Sequence, residues 1–136
     1  MAGYSNTPLA KKLGIKSGQA LYCKNPPANY TTLLKPLPDN ITWAKRLRAD
    51  LDLIHLFTKE RQELSDLLPR LLEKIDPNGM IWVSWPKKAS KVKTDITEDT
   101  IRAVALPLGL VDVKVCAVDE TWSGLKLVIR RENRNA

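Results

Sequence analysis

The apolar run at residues 51–57 constrains the fold of this chain more than any other segment. Every residue in it is apolar except Asp52 and His55. A strand with one face in water alternates apolar and polar residues, whereas a strand buried on both faces is apolar at successive positions. The run therefore predicts a strand covered on both sides, as in a parallel sheet with helices above and below it.

The segment that follows predicts a helix and then a second buried strand. Over residues 60–75, five leucines and one isoleucine recur at the spacing of one helical face. Pro69 lies within this pattern, and we expect it to kink the helix or split it into two pieces. The turn residues 76–79 come next and lead into an apolar strand at residues 80–85.

Weaker signals predict the remaining elements. Proline at a helix start, glycine at a helix end and the two prolines after residue 24 mark several boundaries. The spacing of Asp95 and Glu98 is typical of a capping box. The predicted elements are a helix at residues 7–14 over a sheet edge, strands at 19–24 and 41–45, helices at 29–34 and from 95–97 to 109, and strands at 110–118 and 122–131.

Strands alternating with helices and ending in a hairpin indicate an α/β fold. We predict a mostly parallel Rossmann-like sheet of five to six strands, with a C-terminal antiparallel hairpin and helices on both faces. A chain of 136 residues is expected to form a single α/β domain, with residues 132–136 as a polar tail. This element order resembles the class I methyltransferase variant of the Rossmann fold, especially from residue 51 onward.

Several blocks of the sequence resemble a small bacterial family of unknown function. The blocks are WPKKAS at residues 85–90, LVDVKVCAVDETWSGLK at residues 110–126, and the N-terminal residues 3–5 and 7–14. The resemblance covers nearly the whole chain. It implies a stand-alone bacterial domain with no established activity, cofactor or catalytic residues to carry over.

Composition excludes several broad classes of protein. With 43% hydrophobic and 27% charged residues, the chain is globular rather than disordered. Its longest uncharged stretches are about half the 18 to 20 residues that a bilayer span needs, and no secretion signal is evident. We therefore expect a cytoplasmic protein without a membrane partner.

The positive charge is unevenly distributed. Residues 1–50 carry eight Lys and Arg against two Asp, which is +6 of the total +7. Two local clusters remain in the second half, at residues 87–93 and at residues 126–134. Solvated faces are the simplest interpretation of these clusters. Nucleic-acid binding that weakens steeply with salt is an alternative function, although it is not favoured.

The sequence does not predict a cofactor or a metal. A nucleotide or adenosyl cofactor needs glycines in the turn after the first strand. Here residues 24–29 contain no glycine and two prolines, and Lys45 and Arg46 stand where a ribose-binding carboxylate is usual. Cys23 and Cys116 fall on strands that should not be neighbours, and His55 is predicted to be a hydrogen-bonded core residue.

Ligands of open α/β sheets bind beyond the carboxyl ends of the parallel strands. The leading hypothesis is that the chain is a non-catalytic domain that recognises an anionic small molecule or a protein partner at this edge. An enzyme using Lys87 or Lys88 with Glu120 is a further alternative, and the oligomeric state is open. The nominated binding residues are Asn25, Thr58, Lys59, Trp85, Lys87, Lys88, Ser90, Glu120 and Trp122.

Overall fold

A computed structural model describes residues 7–134, and within them six strands form one mixed sheet. The strands are β1 (Ala20–Lys24), β2 (Thr42–Trp43), β3 (Leu51–Phe57), β4 (Ile75–Pro86), β5 (Leu110–Ala117) and β6 (Trp122–Ile129). The α-helices are α1 (Leu9–Leu13), α2 (Tyr30–Leu33), α3 (Arg61–Lys74) and α4 (Glu98–Ala105). Short 3-10 turns follow at Lys88–Ser90, Leu106–Leu108 and Arg131–Asn133.

The strand order is β2-β1-β3-β4-β6-β5. Strands β1 to β4 are parallel, and β6 runs antiparallel to both of its neighbours. The order reverses between β1 and β3, which makes this the topological switch point of the sheet. The predicted mostly parallel Rossmann-like sheet with a C-terminal antiparallel hairpin is confirmed.

Both faces of β3 are buried, as its apolar run indicates. Ile54 and Leu56 pack under α3 and α4, and Leu53 and Phe57 pack under α1 and α2 on the other face. Burying one such side chain contributes about 1.5–3 kcal/mol. Two apolar layers therefore meet at this strand, and helices lie on both faces of the sheet.

Helix α3 runs through Pro69 without a break. Proline removes one helical hydrogen bond and its ring crowds the carbonyl four residues earlier. Of the two outcomes expected for Pro69, a kink or a split, the split is wrong, because Leu64 and Leu68 before the proline and Leu71 after it are all buried in the same core. Their packing holds one continuous helix against the sheet.

Strand β4 begins at Ile75, before the predicted turn residues. Leu51 pairs with Ile75 and Leu53 pairs with Met80, so residues 76–79 bulge out of the ladder opposite a single residue, Asp52. Gly79 lies in this bulge, where an added Cβ would be 2.7 Å from the carbonyl oxygen of Asp52. The turn chemistry of residues 76–79 therefore builds a bulge within the strand.

The capping box of α4 is formed by Thr97 and Thr100, not by Asp95 and Glu98 as predicted. The Thr97 hydroxyl accepts from the Thr100 amide at 3.3 Å, and the Thr100 hydroxyl accepts from the Thr97 amide at 3.1 Å. Asp95 instead accepts from the amide of Arg61, the first residue of α3, at 2.7 Å. Asp95 thereby fixes the loop before α4 to the start of α3.

Helix α1 lies over the central strand β4 and reaches the edge strand β5, where the Lys114 ammonium donates to the Lys12 carbonyl oxygen. Leu13 is fully buried, and its carbonyl oxygen accepts a hydrogen bond from the Trp82 indole at 2.9 Å. Trp82 is therefore a core residue. Trp43 is 37% exposed on β2 and is not part of the core.

The bulge generates a stability prediction. Replacing Gly79 with Ala forces a Cβ against backbone, and we expect this to lower the free energy of unfolding by about 1–3 kcal/mol. The neighbouring Asn78→Ala variant, at an exposed position, should change it by less than about 0.5 kcal/mol. Urea unfolding of both variants measures the difference. Equal midpoints for the Gly79→Ala variant and the wild type would show that the bulge can relax.

Candidate functional site

The carboxyl ends of the parallel strands meet at one edge of the sheet. Strands β1, β3 and β4 end there, and β5 also ends there because it is antiparallel to β6 and β6 is antiparallel to β4. The turn between β5 and β6 joins this edge through a hydrogen bond of 2.8 Å from the Lys87 amide to the Thr121 carbonyl. The hairpin turn therefore opens on the edge where such folds bind ligands.

Asn25 bridges the switch point. It adopts a positive φ of 60°, a conformation that asparagine tolerates better than most residues. Its side-chain amide donates to the Phe57 carbonyl oxygen at 3.2 Å and so ties the end of β1 to the end of β3. The side chain nominated from sequence thus has a defined structural role at this position.

A cleft of about 390 Å³ lies at the switch point, and we call it the switch-point cleft. Its apolar part includes Phe57 and Trp122, whose rings are 5.0 Å apart and nearly perpendicular. Its charged residues are one lysine and two glutamates, so the charged lining is negative overall. The lining residues are Asn25, Pro26, Pro27, Phe57, Lys59, Glu60, Glu63 and Trp122.

Thr58 supports the cleft from below. It is only 2% exposed, and its hydroxyl donates to the Glu63 carboxylate at 2.6 Å. Its backbone amide donates to the Ser84 carbonyl at 3.0 Å, which continues the ladder beyond β3. Thr58 therefore orients a lining carboxylate rather than facing the cleft itself.

The other nominated residues do not join this cleft. Pro86 pairs with Trp122, so Trp85, one residue earlier, has its side chain on the opposite face. Trp85 is 7% exposed in the core under α3 and α4, whereas Trp122 packs with the core on the α1 side. Trp85 and Trp122, both nominated as binding residues, therefore do not line one crevice, although both lie at the same end of the sheet.

The lysine loop after Trp85 also lies apart from the cleft lining. Lys88 is exposed, and the Ser90 hydroxyl donates to the Lys87 carbonyl at 2.7 Å within the 3-10 turn. Glu120 is exposed in the hairpin turn. Asn25, Lys59 and Trp122 are thus the nominated residues that line the cleft, with Thr58 directly beneath it. Lys87, Lys88, Ser90 and Glu120 are not among its lining residues.

Sequence reasoning missed five lining residues, Pro26, Pro27, Phe57, Glu60 and Glu63. All of them end or follow β1 and β3, the two strands that flank the switch point. The predicted boundaries of these two strands could therefore have identified these residues as candidates. Only the strand order decides that these two strand ends, and not that of β4, enclose the cleft.

The rings of Phe57 and Trp122 form one side of the cleft, which we call the aromatic wall, and a buried chain of polar side chains lies behind it. The Tyr30 hydroxyl and His55 Nδ1 are 2.9 Å apart, and His55 Nε2 and the Ser84 hydroxyl are 2.7 Å apart. The His55 ring stacks on Phe57 with a centroid distance of 4.2 Å. Burial lowers the pKa of His55 from 6.5 to about 3, so the ring is neutral. It is a hydrogen-bonded core histidine in this structure.

The two cysteines are poor nucleophiles. Burial raises the pKa of the Cys23 thiol to about 12, against a smaller lowering by its hydrogen bond with Tyr30. Burial likewise raises the pKa of Cys116, despite the nearby Lys12 and Lys114. Because the thiolate is the reactive form, neither cysteine is set up for covalent catalysis. Among residues 7–134, no group of three His, Cys, Asp or Glu side chains could hold a metal ion.

The fold places the chain among proteins with a class I methyltransferase-like Rossmann architecture. Aeropyrum pernix fibrillarin with natively bound S-adenosyl-L-methionine is 12% identical, with a TM-score of 0.57 over 93% of this chain and 70% of its own. Magnesium protoporphyrin IX methyltransferase from Synechocystis PCC 6803 is 10% identical, with a TM-score of 0.59 over 89% and 78%. Precorrin-6y C5,15-methyltransferase from Geobacter metallireducens is 8% identical, with a TM-score of 0.60 over 89% and 85%.

The chain belongs to the DUF3052 family of proteins of unknown function, which it matches over residues 46–131. The predicted resemblance to a family of unknown function with methyltransferase-like architecture is thus confirmed. No curated protein matches the chain. The chain spans 58% of the length of a ribosomal protein L11 methylase from Lactobacillus delbrueckii, 47% of TrmN from Thermus thermophilus and 85% of the precorrin-6y methyltransferase. At these identities the structural similarity shows the fold alone.

S-adenosylmethionine does not fit the loop after β1. In methyltransferase-like folds a glycine-rich turn lets backbone amides approach the cofactor closely. Here Pro26 and Pro27 carry no amide hydrogen, and the Asn25 side-chain amide is already bonded to Phe57. After β2 the chain continues through Lys45 and Arg46, without a carboxylate for ribose hydroxyls.

No helix among residues 7–134 is long and apolar enough to cross a membrane.

The neutral buried His55 predicts a pH-dependent stability. Between pH 6.5 and about 3 the unfolded chain binds a proton at this residue and the folded chain does not, so stability is lost as the pH falls. We expect the free energy of unfolding to be about 2 kcal/mol lower at pH 5 than at pH 7. Urea unfolding at both pH values measures this loss.

His55→Gln is the matched variant for this measurement, because His55 is the only histidine in the sequence. Carboxylates have ordinary pKa values near 4 and titrate mainly below this range. The variant should therefore show a nearly constant free energy of unfolding between pH 7 and pH 5. A wild-type protein that is equally stable at the two pH values would contradict the buried, neutral state of His55.

Proposed function

We propose that this chain is a non-catalytic binding domain that holds a small molecule with a flat ring in the switch-point cleft. The observation that carries the proposal is the position of the cleft, between the carboxyl ends of β1 and β3 where the strand order reverses. Open α/β sheets bind ligands at this position. The domain keeps the cleft of its fold and lacks the loop that would hold a nucleotide phosphate or an adenosyl cofactor.

The lining favours a ring over an extended polar ligand. Trp122 offers an indole at the cleft, and Pro26 and Pro27 add apolar surface without amide donors. The indole is held in place from behind, because Phe57 packs against it and the Asp119 carboxylate accepts from the Trp122 amide at 2.8 Å. A preorganised aromatic surface binds a ring with little loss of conformational entropy.

The charges disfavour an anionic ligand in this cleft. Lys59 is its one lining cation, whereas Glu60 and Glu63 are both acidic. The anionic ligand expected from sequence depended mainly on Lys87 and Lys88, which do not line the cleft. We therefore propose a neutral or cationic ring, for which the two carboxylates are favourable neighbours.

The lysine-dependent enzyme has less support. It requires a lysine whose proton affinity is lowered by burial. Lys88 and Glu120 are both exposed, and Lys87, which is half-buried, does not line the cleft. The thiols of Cys23 and Cys116 are buried and protonated. These surroundings favour binding over catalysis.

Adenosine and AMP test the proposal as a matched pair of ring probes that differ in one phosphate. Millimolar adenosine should shift the amide signals of Asn25, Lys59 and Trp122 in two-dimensional NMR spectra. AMP should bind more weakly, because its phosphate meets two carboxylates. AMP binding at least tenfold tighter than adenosine would instead support the anionic ligand. No shift at these residues with either probe would argue against a ring-binding cleft.

Trp122→Ala is the matching variant, with Trp43→Ala as its control. Stacking of a base on an aromatic side chain contributes about 1–3 kcal/mol, so we expect the first variant to weaken adenosine binding about tenfold. Trp43 is partly exposed on β2 and is not a lining residue of the cleft, so its loss should leave the affinity unchanged. Equal affinities of both variants would exclude Trp122 as the binding surface.

A further inference from the structure

Four lysines from separate segments converge beside α1 and the β5–β6 hairpin, and we call them the edge lysine cluster. Lys12 lies in α1, Lys16 follows that helix, Lys114 lies in β5 and Lys126 lies in β6. The Lys114 ammonium donates to the Lys12 carbonyl oxygen at 3.2 Å. Lys114 and Lys126 are directly paired across the two strands. The charges of Lys12 and Lys114 both act on Cys116, and those of Lys114 and Lys16 both act on Lys126, so residues more than 100 positions apart contribute to one positively charged surface.

This arrangement is unfavourable for the isolated protein. Like charges directly opposite each other destabilise a strand pair. Lys126 is also half-buried, and its pKa is lowered first by burial and then by the charges of Lys114 and Lys16. A charge placed in such surroundings weakens the fold unless something compensates for it.

Among residues 7–134, no carboxylate forms an ion pair with these four lysines. Within residues 7–134, the side-chain ion pairs are those that Arg102 makes with Glu98, Asp99 and Asp112. Arg102 belongs to α4, which packs on the opposite face of the sheet from α1. The cluster therefore keeps its charge available for an external anion.

We propose that the edge lysine cluster binds the phosphate backbone of duplex nucleic acid. A free phosphate carries at most two negative charges near neutral pH, whereas a duplex presents one every 1.7 Å along its axis and can engage all four lysines. Bases of a single strand need aromatic stacking surfaces. Trp82, the tryptophan nearest in the sheet because it pairs with Lys126, is fully buried. Backbone contact with a duplex therefore fits this cluster best.

This proposal is independent of the ligand in the switch-point cleft. The cluster shares no residue with the lining of that cleft. It also differs from the basic runs noted in the sequence, because Lys12, Lys16 and Lys114 lie outside residues 87–93 and 126–134. Adenosine titration of the Lys16→Gln/Lys126→Gln variant separates the two proposals, because loss of these two lysines should leave the affinity for adenosine unchanged.

Salt dependence of duplex binding tests the proposal. We suggest fluorescence anisotropy with a labelled DNA duplex of mixed sequence and KCl concentrations between about 50 and 200 mM. If all four lysines contact phosphates, the affinity should fall about 150-fold across this range. In the Lys16→Gln/Lys126→Gln variant two contacts remain, and the fall should shrink to about 12-fold.

Lys91→Gln/Lys93→Gln is the charge-matched control. It removes two exposed positive charges outside the cluster and should keep the wild-type salt dependence. Circular dichroism and urea unfolding should show that Lys16→Gln/Lys126→Gln is folded and no less stable than the wild type, since a like-charge contact is removed. A wild-type salt dependence in that variant, or the same reduction in the control, would overturn the proposal. So would binding to vesicles containing phosphatidylserine without binding to the duplex.

Discussion

The two-sided burial of β3 is the constraint on which the rest of the structure depends. Its side chains pack in both apolar cores, so helices must cover each face of the strand. Its backbone is buried as well, so a neighbouring strand must pair with each edge. Parallel neighbours require crossover segments: α3 connects β3 to β4, and α2 connects β1 to β2 on the opposite face of the sheet. Those crossovers leave the switch point between β1 and β3. The position of the candidate site is therefore a consequence of how one strand is buried.

Much of the fold was predictable because its signals are local. Residues 51–57 lie within one strand and the leucine pattern after them lies within one helix. Within a single element, the spacing of apolar residues is enough to indicate a strand or a helix. Pro69 was misleading because the burial that compensates for it comes from other elements. Asp95 was predicted to cap α4 but accepts from the first residue of α3, and this contact also comes from another element. Its partner, the Arg61 amide, is 34 residues away, and local spacing cannot reveal it.

The candidate site was harder to predict because it depends on register and strand order. Trp85 and Trp122 reach the same end of the sheet, yet one residue of register sends them to opposite faces. The edge lysine cluster could not be assembled from the sequence either, because Lys12 and Lys114 are far apart and only Lys126 belongs to a basic run. Asn25, Lys59 and Trp122 were found because a general rule about strand ends needs only the boundaries of the strands.

The aromatic wall links the switch-point cleft to the interior. Trp122 packs on Phe57, Phe57 stacks on His55, and His55 is held between Tyr30 and Ser84. Gly124 leaves space for these packed side chains, because an added Cβ would lie 3.1 Å from both the Ser84 hydroxyl and the Trp82 ring. A protonated His55 would place a charge in this packed interior. Packing of the Trp122 indole at the cleft is therefore coupled, through Phe57, to the neutral state of His55.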